Sequence, residues 1–142
     1  MKTEHLDLML DSALTKACEK LEKNETLYPY VLVMDKNAYV EFNDDFDQAV
    51  YESDPEELIE DLFLRLKKRA DEEDIYGAGL VCQVKVKHPE YGEYCSAIEA
   101  HVEYKDGSAY DCFLPYNKKD DKIEYGEIFS SEIDPKIFST QK

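Results

Sequence analysis

Glu99, His101 and Glu103 stand at alternate positions of one short run, so on an extended chain their side chains share a face. A histidine between two carboxylates can do general acid/base work, and with a further acid it can ligate a metal. Asp111 lies on the next run, beyond an Asp106-Gly107 turn. A three-residue hairpin loop with Gly107 in a bulge would pair Val102 with Cys112 and Ala100 with Leu114, and would set Asp111 opposite Glu103. The chemistry this set could support is that of a small metal-dependent hydrolase built on Glu99, His101 and Asp111. No Ser or Cys partner can be read beside it, and there is no Gly-rich phosphate loop. The pattern fits better as a charge ladder on an exposed sheet face, with Glu99 and Glu103 answering Lys85 and Lys87.

The second feature is acid load. The formal net charge is -16 over 142 residues. Residues 41–64 contain no Lys or Arg but carry Glu41, Asp44, Asp45, Asp47, Glu52, Asp54, Glu56, Glu57, Glu60 and Asp61. Such a stretch attracts basic partners and repels nucleic acid and anionic lipid. Asp44, Asp45, Asp47 and Glu52 are the expected partner-binding acids. Tyr91 and Tyr94, which flank Gly92 in a loop, are expected to join them, because tyrosine combines large contact area with a polar tip. Asn43, Asp45, Asp47 and Asp54 sketch a calcium loop. Gln48 stands where the tight turn needs Gly, the last ligand is Asp rather than Glu, and no helix precedes it. Neither a metal nor a cofactor is expected.

Cys18, Cys82, Cys95 and Cys112 form no Cys-x-x-Cys pair and have no His at finger spacing. Cys18, Cys82 and Cys112 fall on apolar faces and read as buried thiols. The first residues lack a basic region followed by an apolar run, and no apolar stretch reaches membrane-spanning length. The expectation is a cytoplasmic protein with reduced thiols.

These residues need elements to position them. Leu6, Met9, Leu10, Ala13, Leu14, Ala17, Cys18 and Leu21 form one stripe of a helix over residues 4–23, with Thr3 as cap and Asn24 as stop. Tyr28-Pro29-Tyr30-Val31-Leu32-Val33-Met34 reads as a central strand with both faces covered. Asp35-Lys36-Asn37 turns it into a second strand over residues 38–42, and residues 46–51 form either a short strand or an irregular approach to the next helix. Asp54, Pro55 and Glu57 mark that helix's start; Leu58, Ile59, Leu62, Phe63, Leu66 and Ala70 give its buried stripe. Strands follow over residues 80–87, 94–104, 109–116 and 123–129. The order α-β-β-α-β-β-β predicts a single α+β domain over residues 1–142. It would hold one antiparallel sheet of five to six strands with two amphipathic helices on one face, and a partly ordered tail from residue 130.

Three segments resemble a family of small bacterial α+β proteins without an assigned biochemical function. They are Leu27-Tyr28-Pro29-Tyr30-Val31-Leu32-Val33, then Ala97-Ile98-Glu99-Ala100-His101-Val102-Glu103 through Asp106-Gly107 to Leu114-Pro115-Tyr116, and Tyr125-Gly126-Glu127-Ile128-Phe129 with the tail to Phe138. The shared motifs are strands, turns and aromatic plugs, and they imply no catalytic residues. In size and charge the chain is also similar to toxin-immunity proteins. The function expected is a non-enzymatic acidic module that binds a basic protein, of immunity type, with no nucleic acid or membrane partner. A dimerising scaffold similar to roadblock or profilin-like modules, acting as a homodimer, is the alternative beside the hydrolase.

Overall fold

Met9, Ala13 and Ala17 are fully buried along one stripe of the first helix, and Leu58, Leu62 and Leu66 are buried along one stripe of the second. Both stripes step by four residues, one of the two spacings that keep a helix's apolar side chains on one face. The computed structural model describes residues 2–23, 29–43, 55–72, 74–87, 92–120 and 122–138. In chain order the elements are α1 (Lys2–Glu22), β1 (Tyr30–Met34), β2 (Val40–Asn43), α2 (Pro55–Glu72), β3 (Gly77–Lys87), β4 (Tyr94–Tyr104), β5 (Ala109–Lys119), β6 (Lys122–Tyr125) and β7 (Phe129–Glu132). The strands make one antiparallel sheet in the order β2-β1-β3-β4-β5-β6, with β7 also on β5. This is the α+β class read from the sequence. No helix among the described residues is long and apolar enough to cross a membrane.

The two helices divide between the faces of the sheet, whereas the sequence pattern had suggested both on one. α1 packs with Tyr30, Leu32 and Met34 of β1 and with Ile98, Ala100 and Val102 of β4. α2 packs with Val31 and Val33 of β1 and with Ala78, Leu80 and Cys82 of β3. All five β1 residues are buried, and a strand apolar at every position needs cover on both sides. Tyr30 Oη donates to the Ala13 carbonyl at 2.7 Å and ties α1 to the centre of the sheet. Gly77 leaves room for Met9: a Cβ there would lie 2.5 Å from its Sδ.

Local signals come out with small shifts. Thr3, read as a cap, lies inside α1. In the turn after β1, Asp35 Oδ1 accepts the N–H groups of Asn37 and Tyr39, and Ala38 takes the left-handed conformation at φ 64°. Residues 46–51, the cap Asp54 and the stop Asn24 lie outside the described residues. The β4–β5 loop does have three residues with a positive-φ Gly107, but Tyr104 N–H donates to Ser108 O, so the loop begins one residue earlier than expected. Val102 therefore pairs with Tyr110, Ala100 with Cys112 and Glu103 with Ala109. The two-residue shift keeps every side chain on its expected face but changes its neighbour across the strands.

The segment read as a tail is built into the sheet. β6 and β7 are one edge strand interrupted by a bulge. Gly126 N–H donates to Pro115 O and Phe129 pairs with Phe113, leaving Glu127 and Ile128 together opposite Leu114. The extra residue reverses the facing of β7 relative to β6, so Phe129 stacks on Phe113 with ring centroids 5.2 Å apart. Ile133 N–H then donates to Ala109 O, and Ile137 is buried at 1% exposure in the α2-side core.

Candidate functional site

Backbone pairing places the polar residues of β4 on the α2 face. Leu80, His101, Asp111 and Ser131 form one row across β3, β4, β5 and β7, and Cys82, Glu99, Phe113 and Phe129 form the next. Lys85 and Lys87 alternate with Val84 and Val86, so they point to the opposite face from Glu99 and Glu103. The expected charge ladder is therefore ruled out by parity. His101 and Glu103 are also covered rather than solvated, at 3% and 0% exposure.

His101 is held on three sides. Nδ1 bonds Asp111 Oδ1 at 3.0 Å, Nε2 bonds Glu103 Oε2, and the Phe63 ring meets the imidazole edge to face at 4.8 Å between centroids. A neutral imidazole has one N–H, whereas carboxylates occupy both nitrogens here. The arrangement suits an imidazolium. Burial alone would pull the His101 pKa down; the bonds to Asp111 and Glu103 more than offset it and raise the pKa above its ordinary value.

Glu103 is saturated. Oε1 accepts the N–H groups of Ile137 (2.9 Å) and Phe138 (3.0 Å); Oε2 accepts Lys136 N–H (2.8 Å) and His101 Nε2. Burial favours its neutral form, but these donors stabilise the anion and hold the carboxyl below its usual range. Asp111 is likewise held low despite burial, first by its bond to His101. Glu99 goes the other way. Burial, then the neighbouring Asp111 charge, raises its pKa above the ordinary carboxylate value. Cys82 Sγ donates to Glu99 Oε1 at 3.7 Å, and burial beside that acid pushes the thiol up to about 12. Cys112 is pushed up to about 11, chiefly by burial. Both are buried free thiols, as expected, and neither is activated.

The result is one continuous chain of hydrogen bonds, Cys82–Glu99–Asp111–His101–Glu103, ending on the backbone of residues 136–138. Asp111 sits opposite His101, not Glu103 as expected, because of the register shift. Its side chain is 22% exposed at an open cleft lined by Glu132, Ile133, Asp134 and Lys136. Two contributors were missed in the sequence: Phe63, assigned only to a helix stripe, and the amides of residues 136–138. The apolar pair Ile137-Phe138 was the one available sign that this segment docks. Among the described residues, no group of three or more His, Cys, Asp or Glu side chains is placed to hold a metal ion.

Of the expected partner-binding residues, Asp44, Asp45, Asp47, Glu52 and Tyr91 lie outside the described residues. Tyr94 opens β4 opposite Lys87 and is 76% exposed, the most exposed of the large hydrophobic side chains described. Compared with family models, curated proteins and solved structures, the chain matches none.

Proposed function

We propose that this chain is a non-enzymatic acidic module that captures a basic protein in the cytoplasm, in the manner of an immunity protein neutralising a basic bacterial toxin. The charge distribution carries the reading: -16 overall, with ten acids and no Lys or Arg in residues 41–64. A potential of that size speeds encounter with a cationic surface. Exposed Tyr94 supplies contact area of the kind interfaces favour.

The saturation of His101 and Glu103 supports the non-enzymatic half. A general acid or base must reach a substrate proton, and both nitrogens of His101 and both oxygens of Glu103 are engaged inside the chain. The constellation serves as a clasp between β4, β5 and the C-terminal segment.

Charge reversal tests the reading. The full chain and a variant with Asp44, Asp45, Asp47 and Glu52 each changed to Lys are compared in capture from a cell lysate at low salt. Wild type should retain a basic protein that the variant loses. Equal capture by both would remove the acidic stretch from the mechanism.

A further inference from the structure

The clasp has a property separate from partner capture. Residues 133–138 cross the α2 face as a strap. Its attachments are the Ile133 N–H bond to Ala109, three amides on Glu103, the buried Ile137 side chain, and Lys136 Nζ over the Phe63 ring at 5.1 Å. The three amides converge on one carboxylate, and that carboxylate is fully buried. We propose that residues 133–138 form a strap latched by the charge on His101, closed while both ring nitrogens carry protons and loosened when one proton leaves.

The geometry dictates this coupling. When the imidazole is neutral, one of its nitrogens turns a lone pair toward a carboxylate. In either tautomer Glu103 loses its cationic partner and stays a buried anion held by the strap's three amides, with at most one neutral N–H from the ring, a weaker state than the ion pair. Lifting the strap admits water to Glu103 and relieves it. Among the described residues, the surrounding groups offer no substitute cation. β4 supplies Glu99 and Glu103, β5 supplies Asp111, β3 supplies the neutral Cys82 thiol, β7 supplies the uncharged Ser131, and α2 supplies the Phe63 ring. The strap's own Lys136 acts on Asp111. Opening would uncover the apolar floor that Ile137 and Phe138 cover.

Amide hydrogen exchange on the full chain tests the latch, with rates corrected for intrinsic base catalysis and the His101 ring nitrogens followed by NMR. Between about pH 6 and about pH 10, protection of the Lys136, Ile137 and Phe138 amides should fall about tenfold or more as His101 titrates, while Val81 and Ala100 stay protected. Asp111→Asn removes a charge that favours the imidazolium, so it should move this transition to lower pH. His101→Gln should leave the strap weakly protected with no transition. The proposal is overturned if His101 is already neutral near the lower limit, if it fails to titrate in the range, if strap protection stays flat while it titrates, or if Asp111→Asn leaves the midpoint in place. The wild-type and Asp111→Asn measurements decide the matter even if the His101 variant does not fold.

Discussion

A carboxylate that accepts four hydrogen bonds has little left to offer a substrate, and Glu103 is in that position. The same bonds make global stability depend on pH in two opposing ways. Glu103 and Asp111 have folded-state pKa values below their ordinary ones, so their contribution is present above the unfolded carboxylate range and is lost as pH falls through the folded values. His101 is raised above 6.5, so its contribution is present below that value and is lost as pH rises through the folded one. Glu99 is also raised and adds to the loss on the alkaline side of its own range. Urea midpoints should therefore be highest between about pH 5 and about pH 6.5 and decline on either side. A midpoint that rises steadily from there toward about pH 9 would mean that His101 is buried neutral and that the clasp is drawn wrongly.

At the scale of elements, the faces of β1 and β4 were legible; the division of the helices between them and the cross-strand partners were not. The five apolar residues of β1 announced cover on both sides of the sheet, and α1 and α2 supply it. The alternation in β4 correctly put Glu99, His101 and Glu103 on one face. Alternation repeats every two residues, however, so it cannot tell Asp111 opposite His101 from Asp111 opposite Glu103; only the hairpin closing at Tyr104 and Ser108 decides. Nor does a polar face announce that it will be buried. Its cover comes from a segment 35 residues later in the chain, where the signal was two apolar residues among polar ones. That segment makes its own prediction. Ile137→Ala should cost about 2–4 kcal/mol in urea unfolding, as for a core aliphatic residue. A loss below about 0.5 kcal/mol would return residues 133–138 to the status of an ordinary surface tail.

At the scale of the molecule, a sheet with a helix on each face belongs to a chain of strong net negative charge, and the acids of residues 44–54 were legible only as charge. Sequence composition sets the sign of a partner without defining the surface that meets it. The dimerising alternative belongs to this scale too: a monomer by equilibrium sedimentation favours the capture module, and a stable dimer favours the scaffold. The central claim is that charge drives capture, and its most direct test is the association rate constant with the purified basic protein, measured against ionic strength. Electrostatic steering requires that rate to fall by roughly tenfold or more between about 20 mM and about 500 mM salt, with dissociation changing less. A rate that does not change with salt would contradict the account.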